Sequence, residues 1–134
     1  MTTFVLIHGA YQGGWIWNPV AERLRAKLIP AIQALRVGVS TDPEAHYGPV
    51  INAAHKARVE NYIRMSVDEG AEIVLDGRGF ELKGNEGGYF LGPTLFDHVL
   101  PHMQSYQEEI FGPVLQMVRA VSLEAALQLA SRHP

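Results

Sequence analysis

No cysteine occurs among the 134 residues of this chain. Its absence excludes a disulfide framework, a thiolate metal site and a cysteine nucleophile in this stretch of sequence. Long apolar runs are also missing: none reaches the ~18 residues that a membrane-spanning helix needs. The opening "MTTFVLIHGAY" has no basic leading region and its apolar run covers only residues 4–7, so it does not read as a secretory signal. Charge of either sign is scarce. Eleven Lys and Arg against fourteen Asp and Glu leave a net charge of −3 and a pI near 6.0. No basic face is implied, so neither nucleic acid nor an anionic membrane is an expected partner. Repeats, low-complexity segments and linker-like composition are absent too. The expectation is a cytoplasmic globular protein.

What is present fits that expectation. Hydrophobic residues make up 47% and charged residues 19%, a globular balance rather than a disordered one. "TFVLIHG" is apolar on both faces and predicts a buried strand, followed by a glycine-rich turn, "HGAYQGGW". Asn18 and Pro19 predict a helix start. Val20, Leu24, Leu28, Ala31 and Leu35 then form an amphipathic stripe, with a kink or break expected near Ile29 because of Pro30, and a stop at Gly38. Residues 37–50 read as an irregular connection. Asn52 caps a second predicted helix that runs to Gly70 and buries Val59, Tyr62, Ile63 and Val67. "AEIVLDG", "YFLGPTLFD" and "GPVLQMVRA" read as strands. Pro93 suggests an edge or irregular position for the second of these. Ser122 caps a last helix. The order β-α-α-β-β-β-α predicts an α/β fold, a mixed sheet with helices covering it.

"FVLIHGAYQGGWIW" resembles the first strand and following loop of α/β-hydrolases of the esterase and hydroxynitrile-lyase kind. The resemblance covers about residues 1–26. It implies that the backbone N–H of Ala10 once faced an oxyanion, a task suited to donors fixed before charge develops. The rest of that machinery has no counterpart here. No serine sits in a Gly-x-Ser-x-Gly elbow, and no acid and histidine follow at suitable places.

From about residue 27 to residue 134 the chain resembles aldehyde dehydrogenases. Three blocks carry the likeness in register: "LIPAIQALRVGVSTDPEAHYGPVINAAHKARVENYI", "GYFLGPTLFDHV" and "QEEIFGPVLQMVRA". The first block is most similar to the methylmalonate- and malonate-semialdehyde dehydrogenase branch, which oxidises a semialdehyde with NAD and passes the acyl group to coenzyme A. The resemblance implies that Glu109 faces the hydroxyls of the nicotinamide ribose and that Phe111 packs near the nicotinamide. A carboxylate suits a diol because its two oxygens can accept from both hydroxyls. Read without the family, Glu108 and Glu109 are simply a solvated acidic pair.

The family's nucleophile is a cysteine. Its general-base glutamate, and the dinucleotide-binding domain that holds adenosine and pyrophosphate, have no counterpart in these residues. "HGAYQGGW" lacks the Gly-x-Gly-x-x-Gly spacing of a dinucleotide turn. The expectation is therefore a chain joining a hydrolase-like start, residues 1–26, to an aldehyde dehydrogenase-like segment, residues 27–134. It is expected to bind NAD weakly or not at all, to catalyse nothing alone and to self-associate through unpaired sheet edges. The "ERLRA" helix at the join fits either family.

Six histidines raise the question of a metal. His98 and His102 have the spacing of two ligands on one helix face, but Pro101 between them argues against that helix, and no third ligand is apparent. His46, His55 and His133 read as surface residues and His8 as support for the turn. Trp15 and Trp17 read as core or staple residues beside the first helix.

Overall fold

The computed structural model describes residues 18–132. The strand predicted over residues 3–9, Ala10, both tryptophans, His8 and His133 lie outside them. Within them the elements run α1 (Asn18–Gln33), α2 (Ala53–Asp68), β1 (Glu72–Leu75), β2 (Thr94–Val99), α3 (Gln104–Gln107), β3 (Val114–Val118) and α4 (Leu123–Arg132).

The three strands form one mixed sheet in the order β1-β2-β3. β1 pairs antiparallel with β2, placing Glu72 opposite Asp97 and Ile73 opposite Phe96. β3 pairs parallel with β2, placing Thr94 opposite Val114 and Leu95 opposite Leu115. β2 is thus the central strand, not an edge. Pro93 lies immediately before it, where a missing N–H interrupts no ladder. Side chains alternate between faces along β2, and the register shifts between Phe96 and Val99, where His98 adopts φ 56. The bulge returns Val99 to the face of Phe96. Both join the core with Val59, Tyr62 and Ile63 of α2, and with Leu91, Met103 and Ile110. Burial of each such large apolar side chain stabilises by roughly 1.5–3 kcal/mol.

α2 has both of its predicted ends. The Asn52 side chain accepts from the His55 N–H at 2.8 Å, satisfying a donor that the first turn leaves unpaired. At the other end Gly70 has φ 102, Gly70 N–H donates to Val67 O at 3.0 Å, and Ala71 N–H donates to Ser66 O at 2.9 Å. This is the double hydrogen bond of a Schellman motif, which needs the left-handed residue that glycine supplies most readily. One expected core residue is displaced: Val67 is 39% exposed and Ser66 is buried. The Ser66 hydroxyl donates to Tyr62 O at 2.8 Å, so its burial leaves no unpaired group.

α1 departs further from expectation. It runs unbroken through Pro30 to Gln33, ending well before Gly38. Leu24 and Leu28 are half-buried, but the inward residue of the next turn is Ile32, while Ala31 and Leu35 are exposed. Gly38 serves a different purpose. It is buried in the connection, donates to Tyr47 O at 3.1 Å, and an added Cβ would lie 2.7 Å from Ala45 Cβ. α3 is a single turn that no cap signals, since its N-cap Met103 makes no side-chain capping bond. α4 begins as predicted, with Ala125 N–H donating to Ser122 Oγ at 3.1 Å. No helix among the described residues is long and apolar enough to cross a membrane.

α1 lies on the face of β2 that carries Leu95 and Asp97. Glu22 meets Arg119 just beyond the end of β3, at 2.9 Å. Ile32 and Leu35 line a groove with Val114 and Leu115 at its start. α1 therefore runs antiparallel to β3.

Candidate functional site

The segment between α3 and β3 carries Glu108, Glu109, Ile110, Phe111, Gly112 and Pro113. Ile110 is buried in the core, whereas Glu109 is exposed and Phe111 is 73% exposed. Among the described residues no hydrogen bond or ion pair engages the Glu109 carboxylate. Phe111 has φ 57, a left-handed backbone that non-glycine residues adopt rarely. The structure thus places the two predicted cofactor residues two positions apart, both facing outward, with the anchor Ile110 between them.

One ridge of α2 holds this segment. Residues 55, 59 and 62 follow the i, i+4, i+7 spacing that puts side chains on one helix face. The Tyr62 hydroxyl donates to the Glu108 carboxylate, and Gln104 Nε2 donates to its other oxygen at 2.8 Å. The Arg58 guanidinium lies 5.4 Å from the Tyr62 ring centroid. These hydrogen bonds, Tyr62 first and then Gln104, hold the Glu108 carboxyl below the usual carboxylate range, with the Arg58 charge assisting. Glu108 is exposed like Glu109, but its carboxylate is also tied to α2 and α3 by these hydrogen bonds. Val59 is fully buried against Gly112, where an added Cβ would come within 2.8 Å of Val59 Cγ1. His55 Nε2 lies 2.8 Å from Phe111 O. A carbonyl only accepts, so Nε2 carries the proton. His55 is more than a surface residue. Its place on the Val59 ridge could be read from the helix spacing, but its partner lies 56 positions away and leaves no local signal.

Beside the segment, Ile32, Leu35, Tyr47, Val50, Pro113 and Leu115 contribute to an apolar groove of about 440 Å³. The Tyr47 hydroxyl donates to Leu91 O at 3.1 Å, and burial pushes its pKa up to about 12.

A second polar cluster sits across the sheet. Asp97 is fully buried and accepts from Arg119 Nε at 3.0 Å, Arg119 Nη2 at 2.6 Å, Arg25 Nη1 at 3.3 Å and its neighbour's backbone, His98 N, at 2.7 Å. Arg25 also pairs with Glu72. Burial by itself would raise the Asp97 carboxyl, but the hydrogen bonds from Arg119 and His98 N–H outweigh it and hold the group low. Glu72, Asp97 and His98 bring ligand-type atoms within 4.8 Å of one another. Two guanidinium groups already neutralise these acids, which opposes a cation there. His98 ends in the β2 bulge and His102 in the following turn, so they share no helix.

This arrangement, a mixed sheet whose central strand leads through a short helical turn into an exposed Glu-x-Phe segment, belongs to a known class. A sequence model of the aldehyde dehydrogenase family matches residues 15–134, and the chain belongs to that family. Its similarity is strongest to one branch. Malonate-semialdehyde dehydrogenase of Pseudomonas aeruginosa is 50% identical over 118 residues, which cover 88% of this chain and 24% of that protein. A candidate methylmalonate-semialdehyde dehydrogenase of Sinorhizobium meliloti, solved with NAD, superposes with a TM-score of 0.84 at 45% identity, over 87% of this chain and 24% of that one. An aldehyde dehydrogenase of Mycobacterium tuberculosis, solved with NAD+, gives a TM-score of 0.76 at 38% identity, over 83% of this chain and 23% of its own. The chain thus spans about a quarter of the length of the relatives it matches.

Proposed function

We propose that this chain carries the nicotinamide-ribose end of the NAD site of a coenzyme A-acylating (methyl)malonate-semialdehyde dehydrogenase, and that these 134 residues have no turnover of their own. The observation that carries the reading is the exposed Glu109–Phe111 pair on a segment clamped by α2. In such a site bound NAD supplies the hydride acceptor. Glu109 accepts from the two ribose hydroxyls, and Phe111 offers an aromatic face to the nicotinamide end. Ile110, buried in the core, anchors the segment between these two contacts, and Gly112 abuts Val59 beyond them. Acyl transfer to coenzyme A needs a nucleophile that holds the acyl group, and this stretch contains no cysteine to serve.

A second reading derives residues 1–26 from an α/β-hydrolase and residues 27–134 from the dehydrogenase. It rests only on the amino-acid sequence "FVLIHGAYQGGWIW", in which it would assign Ala10 as a vestigial oxyanion-facing residue. The family match from residue 15 and the ion pairs that Glu22 and Arg25 make with Arg119, Glu72 and Asp97 favour a dehydrogenase origin for the helix itself.

The test is direct. Purified chain, given malonate or methylmalonate semialdehyde with NAD and coenzyme A, is expected to form no NADH above background, and no nitrophenol from a short-chain ester. Turnover that survives repurification and disappears on a single substitution would overturn the proposal.

A further inference from the structure

We infer that His55 is a positioning residue for the cofactor-facing pair: its Nε2–H, donated to the Phe111 carbonyl at 2.8 Å, keeps Phe111 in the left-handed conformation that turns its ring outward beside Glu109. The inference rests on the reading of Glu109 and Phe111 given above, and it assigns a specific group to the geometry of that pair.

Three residues of the segment are held by their own side chains or by close packing. Glu108 is tied to Tyr62 and Gln104, Ile110 is buried in the core, and Gly112 abuts Val59. Phe111 has none of these restraints, because its side chain is 73% exposed. Yet Phe111 is the residue with φ 57. A non-glycine residue persists in that sparsely populated region only when its surroundings over-determine it. With the ring in solvent, the restraint has to act through the backbone, and the carbonyl is where it acts. His55 is well placed to supply it. It stands in the first turn of α2, its backbone N–H is tied to the Asn52 cap, and its ring is half-buried on the same ridge as Val59 and Tyr62. The imidazole is thus fixed by the helix that also fixes both ends of the segment. The hydrogen bond fixes the plane of the Phe111–Gly112 peptide and with it ψ of Phe111. The left-handed region is narrow in ψ as well as in φ, so with the carbonyl released Phe111 is free to leave it for the common negative-φ region, moving its ring relative to Glu109.

The signature of positive φ is a strong intraresidue amide-to-Hα nuclear Overhauser effect, because the two protons approach more closely than in strand or helix. It is measured at Phe111 in the full 134-residue chain, in His55→Ala, and in His55→Gln, whose side-chain amide can also donate. The expected result is a strong effect in the parent, its loss in His55→Ala and its recovery in His55→Gln, with the methyl resonances of Val59 and Ile110 unmoved. If His55→Ala does not fold, His55→Phe fills the space without a donor and is expected to show the same loss. A strong effect retained in His55→Ala, or in His55→Phe where that variant is used, would overturn the inference. So would a loss that His55→Gln does not restore. A separate titration with nicotinamide riboside, followed at the Glu109 amide in parent and Glu109→Ala, tests the underlying reading. Equal response in both would sink that reading while leaving the role of His55 in Phe111 geometry intact.

Discussion

Asp97 is fully buried in the middle of the central strand, the least hospitable place for a charge, and it stays charged because two arginines reach it. Arg119 binds it through two nitrogens and Arg25 through one. Removing one partner of a buried pair costs about 3–5 kcal/mol, because the remaining charge is left uncompensated. We predict that Arg119→Met destabilises by about 3 kcal/mol near neutral pH, the low end of that range because Arg25 remains. The pH dependence has a definite sign. The folded Asp97 carboxyl is held below its ordinary value, so its contribution is complete above the unfolded pKa of about 3.9 and is lost as pH falls through the lower folded value. In Arg119→Met burial is no longer outweighed to the same degree, the folded pKa rises, and less remains to be lost. Urea unfolding between neutral pH and pH ~3 is expected to show the parent and the variant converging as acid is added. A gap that is constant with pH would contradict the account. Little of this was legible in advance. "TLFDHV" reads as a strand, but only the fold brings Arg25, 72 positions away, to Asp97.

At the scale of elements, the α2 ridge and the segment after α3 form one unit. Val59 and Gly112 are its tightest point: an added Cβ at Gly112 would lie 2.8 and 2.9 Å from the two Val59 methyl carbons. Valine is stiff and fully buried here, so it cannot swing aside. Gly112→Ala is expected to cost about 1–3 kcal/mol as an overpacking change. In a Val59→Ala background the same substitution is expected to cost less, because the clash partner is gone. A double-mutant cycle on unfolding midpoints measures the difference, and strict additivity would contradict the contact. The ends of α2 were readable because Asn52 and Gly70 act on their own neighbours. The end of α1 was not. Gly38 is required by the close approach of Ala45, a contact made by the turn and not by the helix, so the same residue type misled the reading. α3 and the His98 bulge were invisible for a related reason: neither has a side-chain cap or turn residue to announce it, and tertiary packing of Met103 and Val99 fixes both.

At the scale of the whole molecule, the chain spans about a quarter of the length of its relatives, and the proposal assigns it one part of a larger binding arrangement. The identity of Glu109 and Phe111 as a pair came from the Glu-Glu-Ile-Phe-Gly-Pro block and its family, not from periodicity, while the structure adds what holds them. Hydrogen bonds to a charged group contribute roughly 1.5–3 kcal/mol in a formed site. Association costs an estimated 4–15 kcal/mol in lost translational and rotational freedom. One carboxylate and one aromatic face do not offset that cost. Isothermal titration of NAD into the purified chain, alongside Glu109→Ala, measures the balance most directly. The account predicts a dissociation constant weaker than about 1 mM for the parent, equivalent to less than about 4 kcal/mol of binding. Micromolar affinity that is lost in Glu109→Ala would contradict it, because the 134 residues would then hold a complete cofactor site by themselves.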